Sequence, residues 1–484
     1  MGLERQHHNV TLAILTLAGA AFSLQQTMVF PALRTFQEAF GSSTAWTTWI
    51  LTGFLVSGAV LTPILGRLGD QFGKERLLLI SLGLFLAGCV AASFAWSLWS
   101  LIAFRVVSGA GGALFPLSFA IIRDEFPADK VKVGIGLLSA VWGVGGGFGI
   151  VLSGLIVDNF SWRYLFLLGS IPVALSLVLV HRYVPESPIR SPSKVDVPGA
   201  LLLSGALISL MLALTEGEDW GWGSPRLVGV LTVAVVFFVL WGVVEARSSS
   251  PMVDLRMLAH RPILLTNIAT LISGFALFSC FVLVPTFVES NSSNGYGFSA
   301  SATVAGLYLL PSSLAMLVAG PLAGGIGRRY GSKWTLATGM LVVSFAALLF
   351  ATMHADPVPV LLASALLGLG VGAAFASMAG LIADNVDPRE MGVASGMNTV
   401  VRMIGAVVGG QVGAALLTAR TIGDTSVPAE SAFTITFALS AVTALIAAAI
   451  AVSISSRPHL RQLAVVPTSV RASSARTSPV RPQG

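Results

Sequence analysis

Fourteen apolar runs, each near the length that crosses a bilayer as a helix, leave this chain little choice of surroundings. They fall at 10–32, 46–66, 77–96, 98–122, 134–157, 164–183, 197–214, 226–246, 263–288, 301–323, 334–353, 358–383, 392–417 and 432–455. Of 484 residues, 55% are hydrophobic and only 10% charged. A soluble domain carries about a quarter charged residues, so most of the chain must face lipid or other apolar helices. Unpaired backbone groups are too costly in lipid for open strands or irregular spans. The pattern therefore predicts an all-α integral membrane protein, with the 51 glycines serving close helix packing. The first run lacks a terminal small-residue cleavage pattern and reads as a membrane helix rather than a signal peptide.

An even number of spans puts both termini on one face. With that face inside, inside segments carry 22 Lys and Arg, while the outside loops carry only Arg34, Arg163, Arg226 and Arg420. Arg105 and Arg402 fall within spans. This asymmetry predicts a multi-pass protein of the inner or plasma membrane with both termini cytoplasmic. The formal charge of +6 belongs to this pattern and indicates no nucleic-acid partner. The segment 457–484 has five Arg, no acid and many Ser, Pro and Ala, and is expected to be a disordered basic tail within reach of anionic lipid.

A stretch between the second and third runs, Pro63-Ile-Leu-Gly66-Arg67-Leu-Gly69-Asp70-Gln-Phe72-Gly73-Lys74-Glu-Arg76, reads as a tight polar hairpin. It returns 258 positions later as Pro321-Leu-Ala-Gly324-Gly-Ile-Gly327-Arg328-Arg329-Tyr330-Gly331. A second echo links Ser108-Gly109-Ala-Gly111-Gly-Ala113-Leu-Phe115 to Leu367-Gly368-Leu-Gly370-Val-Gly372-Ala-Ala-Phe375. The repeat pairs spans 1–6 with 9–14 and leaves 7 and 8 as an insert. The expected divisions are a six-helix bundle over 1–196, two inserted helices and a linker over 197–262, a second bundle over 263–456, and the tail. Parallel six-helix repeats around a midplane cavity describe a secondary transporter.

Three motifs carry a family likeness. The loop Gly66–Arg76, the run Leu101-Ile-Ala-Phe-Arg105-Val-Val-Ser-Gly109-Ala-Gly111-Gly-Ala113, and Ser161-Trp162-Arg163-Tyr164-Leu-Phe166 with Ile171-Pro172 resemble the fourteen-helix drug:proton antiporter branch of the major facilitator superfamily. The resemblance implies the major facilitator fold, two six-helix bundles plus two inserted central helices, and multidrug efflux. Two positions depart from the branch. Gln25 stands where its helix 1 usually has Asp, and Gly147-Phe148 with Val151-Leu152 replaces the Gly-Pro and Gly pair of its helix 5 motif.

Of the acids, nine lie outside and thirteen in inside loops or at inside helix ends, so no titratable carboxylate is expected near mid-membrane. Coupling would then use boundary acids, or be absent. The gate and coupling candidates are Asp70, Arg67, Arg76, Arg105 and Asp124. Asp70 reads as a latch that pairs with cations and helix N-termini in one conformation, or as a solvated hairpin charge. Arg105 sits about 10 Å into its span at 1.5 Å per residue. It is either a switch residue, as the resemblance implies, or a structural Arg bonding backbone carbonyls.

The cavity candidates are Gln25, Gln26, Phe22, Trp142, Asn398 and Arg402. The glutamines can hydrogen-bond a neutral ligand; Phe22 and Trp142 line an apolar cavity or simply pack. Asn398 and Arg402 share a helical face and suit either a polar or anionic group or inter-helix bonding. No metal or cofactor is expected: Cys89 and Cys280 are isolated, and no His has ligand spacing. Glycine runs such as 143–147 follow no strand, and no Walker lysine exists, so ATP-driven pumping is excluded.

The reading is therefore a monomeric secondary transporter, not an enzyme, exporting small hydrophobic compounds by alternating access, with protons as the candidate coupling ion and membrane lipids around it. The alternatives are an uncoupled facilitator, a lipid or metabolite carrier of the same fold and, from another class, a non-transporting membrane sensor.

Overall fold

The computed structural model describes residues 8–454, except 30–31, 43, 128–129, 188–195, 222, 249–250, 252, 254, 388–389 and 423–426. The expected tail at 457–484 lies outside the described residues. The chain is a succession of helices: α1 (His8–Thr27), α2 (Leu33–Phe40), α3 (Thr44–Phe72), α4 (Lys74–Ser93), α5 (Leu98–Ser108), a 3₁₀ segment (Gly109–Ala113), α6 (Leu114–Glu125), α7 (Val131–Asn159), α8 (Arg163–Tyr183), α9 (Val197–Trp220), α10 (Pro225–Arg247), α11 (Leu255–Ala259), α12 (Arg261–Glu289), α13 (Ala302–Tyr330), α14 (Ser332–Thr352), α15 (Pro357–Asn385), α16 (Met391–Ala419) and α17 (Glu430–Val452). Strand-type pairing among the described residues is limited to an isolated bridge between Thr421 and Pro428.

Thirteen spans among the described residues, counting α5 to α6 as one, are long and apolar enough to cross a membrane. The 29-residue α7 is the fourteenth long helix. Polar caps start several of them where the chain turns back. Ser97 and Ser100 form a reciprocal capping box on α5, Ser224 precedes Pro225 at the start of α10, and Ser301 accepts from Val304 N–H on α13.

Two expectations need correction. The polar hairpin at 63–76 is not a loop: α3 runs through it to Phe72, and the turn is Gly73 alone, at φ 122° and ψ 132°. Gly331 makes the same turn between α13 and α14, at φ 96° and ψ 140°. A side chain strains at such angles, so the repeated glycine sets one-residue hairpins in both halves. The fourth span is also not one continuous helix. It passes through a 3₁₀ segment at Gly109–Ala113, where Gly109, Gly111 and Gly112 lie close against α3 and α1. Its counterpart, α15, is continuous.

One buried apolar cluster fills α12 to α15 and α17, with Met340, Phe350, Phe433 and Phe437 among its large members. Another fills α1, α3, α4 and α6 to α8 and continues into Ile382, Val386 and Met391. The two halves therefore share core on the face that carries both hairpins. The inserted α9 and α10 pair with each other, and Leu203, Leu207 and Trp241 pack against Val393, Met397 and Val400 of α16. Trp49 of α3 donates its indole N–H to Glu216 of α9 at 2.7 Å. The outer surface of α10, including Val235, Val236 and Val239, is exposed, as suits a lipid-facing helix.

Candidate functional site

The hairpin face is where the halves are locked. Gly66 of α3 faces the Gly392 carbonyl of α16, and a Cβ at Gly66 would approach that oxygen to 2.7 Å. This contact brings the end of α3 over the start of α16, whose N-cap residue Glu390 supplies no side-chain cap. Asp70 replaces it from the other half. Its carboxylate, 1% exposed, accepts from Gly392 N–H at 3.3 Å and Val393 N–H at 3.2 Å. An anion on free amides at a helix N-terminus is favoured by hydrogen bonding and by the helix dipole together.

Behind Asp70 lies a buried charge chain. Lys74, fully buried, sits 3.9 Å from Asp70 and 2.5 Å from Asp124. Asp124 also accepts a short hydrogen bond from Ser187. Arg67 adds a positive charge within electrostatic reach of Asp70. Arg76 does not join: it is exposed and lies 3.7 Å from Glu186. Arg123 makes a second clamp across the halves, donating to the Val386 carbonyl at 2.6 Å and to Met391 Sδ at 3.3 Å.

Lys74, Ser187 and Arg123 are not among the gate and coupling candidates that the sequence offers. The signal for Lys74 was its i+4 spacing from Asp70. Ser187 and Arg123 gave none, because their partners are distant in the chain.

Arg105 is wholly buried on α5. Its Nε donates to the Ile50 carbonyl at 3.4 Å, and its guanidinium carbon sits 4.1 Å from the Phe54 ring centre and 5.9 Å from that of Phe166. Both terminal nitrogens lack a hydrogen-bond partner among the described residues. Gln25 converges on the same place, donating to the Phe166 carbonyl at 3.3 Å. The amide at position 25 cannot supply the countercharge an acid would, so the cation is held by ring faces and one carbonyl.

The cavity candidates divide. Asn398 and Arg402 line a small space between the halves with Phe119, Phe375, Ile382 and Ser395. Asn398 donates to Asn267 and Thr270, both at 2.9 Å, and Arg402 lies over the Phe375 ring at 4.6 Å. Phe22, by contrast, is buried among Phe54, Phe85 and Phe115, with ring centres 5.5–6.0 Å away. Aromatic packing inside the first half has claimed it. Gln25 and Gln26 are likewise buried away from that space. The side chain of Trp142 lies outside the described residues. At about 10 Å³ the space between the halves holds about one water. A larger molecule can enter this space only if its walls part.

A family profile for the Major Facilitator Superfamily matches residues 15–410 and 266–481. The chain is 32% identical to the Lincomycin resistance protein of Streptomyces lincolnensis, over 92% of this chain and 90% of that one. It is 30% identical to Multidrug resistance protein 3 of Bacillus subtilis, over 80% and 75%, and 29% identical to the Tetracenomycin C resistance and export protein of Streptomyces glaucescens, over 86% and 76%. The human organic anion transporter MFSD10 (TETRAN) superposes with a TM-score of 0.64 at 16% identity, covering 92% of this chain and 99% of that one. The chain is a multi-pass membrane protein and belongs to the major facilitator superfamily.

Proposed function

We propose that this chain exports hydrophobic antibiotics or related drugs across the cell membrane by alternating access, with the hairpin face and both termini cytoplasmic. The observation that carries this is its similarity, over most of its length, to three proteins named for drug or antibiotic resistance. The geometry supports it. Asp70 of α3, bonded to the start of α16, and Arg123, bonded to the α15–α16 junction, close the hairpin face, and the space lined by Asn398 and Arg402 is too small for a drug. Release of these clamps opens that face to the cytoplasm; their re-formation commits the substrate to the other side. Phe119, Phe375 and Ile382 supply apolar contact, and Arg402 with Ser395 and Asn398 supplies polar contact, which favours broad selectivity.

Coupling runs through the boundary acid Asp70, which lies where the gate forms and breaks, with Asp124 behind it on Lys74. Uncoupled facilitation is the second reading, favoured by Gln25 at the helix 1 acid position and by the position of the described buried carboxylates at helix ends. The protein works as a monomer without cofactor. Expression in a drug-sensitive bacterium tests the main reading: resistance to a lincosamide or lipophilic dye should rise and cellular dye fall, and Asp70→Asn should abolish both. Unchanged susceptibility and accumulation across a panel of apolar drugs would contradict drug export.

A further inference from the structure

The second hairpin carries a feature that the gate does not use. Where α13 turns into α14, Ile326, Tyr330, Trp334, Thr335 and Thr338 line an open groove of about 400 Å³. Tyr330, Trp334 and Ile326 are exposed on its walls. The threonine hydroxyls turn inward: Thr338 donates to the Trp334 and Thr335 carbonyls at 2.9 and 3.1 Å, and Thr335 to the Gly331 carbonyl at 3.5 Å. With those hydroxyls bonded to their own helix, the groove is an apolar slot.

Its rim is cationic. Arg329 lies 5.3 Å from the Tyr330 ring centre, and Lys333 Nζ lies 5.2 Å from that of Trp334. Neither forms an ion pair among the described residues. Asp384, the acid bonded to this hairpin, accepts from Ser332 on the inner side at 3.3 Å.

The first hairpin provides an internal control. Shifted by 258 positions, Arg329 corresponds to Gln71, Lys333 to Glu75 and Trp334 to Arg76. There Gln71 is buried, the Glu75 amide donates to Glu186 at 3.3 Å, and Arg76 is neutralised by Glu186. One backbone thus presents an acidic, self-paired rim in the first half and a basic rim over an aromatic slot in the second.

We propose that the α13–α14 groove is a binding site for an anionic phospholipid. One acyl chain lies along Ile326 and Thr338, the glycerol region rests against Tyr330 and Trp334, and the phosphate meets Arg329 and Lys333. Aromatic residues favour the level of the lipid headgroups, and basic pockets beside membrane helices select anionic headgroups.

The test is native mass spectrometry of the full-length protein in detergent with equal phosphatidylglycerol and phosphatidylcholine of matched chains. The wild type should retain phosphatidylglycerol preferentially. The R329Q/K333Q variant should lose about thirty-fold of that preference, the value for two surface cations. The charge-preserving R329K/K333R variant should keep it, which separates loss of charge from loss of fold. Equal retention of the two lipids by wild type, or an unchanged preference in R329Q/K333Q, would overturn the proposal. The assay involves no transported substrate, so its failure would leave the export reading standing.

Discussion

The hairpins at Gly73 and Gly331 share a backbone and differ in what they hold. In the first, Asp70, Lys74 and Asp124 form a buried chain whose outer member caps α16 of the other half. In the second, the corresponding positions are Arg328 and Ser332, and Asp384 at the end of α15 accepts from Ser332 at 3.3 Å rather than from a buried lysine. The first hairpin is wired inward to the junction between halves; the second turns its cations outward. The same glycine turn serves both, and the side chains around it put one at the interface and leave the other's rim exposed.

Removing charges should expose this asymmetry. Lys74→Met leaves Asp70 and Asp124 buried without their shared cation, and breaking such a pair costs about 3–5 kcal/mol. The expected outcome is a large fall in the melting temperature of the purified protein, or no recoverable protein. Asp70→Asn should cost less, about 1.5–3 kcal/mol for its charge-assisted bonds to α16, and should act on the gate. Distances between spin labels on α3 and α16 at the hairpin face should shift to longer values. Ser332→Ala in the second half removes a single hydrogen bond, about 0.5–1.5 kcal/mol, and should leave those distances unchanged.

The glycines give a finer test. Ala at Gly331 meets no atom within 4 Å and bears only backbone strain, about 1–3 kcal/mol. At Gly73 it would also displace the Glu186 carboxylate, so Gly73→Ala should lower the melting temperature further. Equal shifts would show that Glu186 moves aside freely.

Arg105 offers a comparison of a different kind. Its unsatisfied terminal nitrogens predict that Arg105→Met, similar in length and uncharged, leaves stability unchanged or raised while transport falls. A strong loss of stability in this variant would make the residue structural. Gln25→Glu should place a countercharge near the guanidinium and make dye export more dependent on an imposed pH gradient.

The helical spans and the glycine turns between them are legible in the sequence because they rest on hydropathy and glycine spacing, both local. The hairpin was misread as a loop because polar residues at a helix end look like a loop until their partners are known. Asp70 is answered by amides more than 320 positions away, and Lys74 by an acid 50 positions on. Phe22 shows the mirror case: an aromatic on an inner helix can face a cavity or its own bundle, and only the positions of Phe54, Phe85 and Phe115 decide. Arg123 stood beside a candidate acid, yet the backbone it grips belongs to the other half.

The most direct test of drug export through the Asp70 gate is dye efflux from proteoliposomes with and without an imposed pH gradient, comparing wild type with Asp70→Asn. Gradient-driven efflux is expected in the wild type and its loss in the variant, with the variant still folded. Gradient-driven efflux that survives Asp70→Asn unchanged would contradict it.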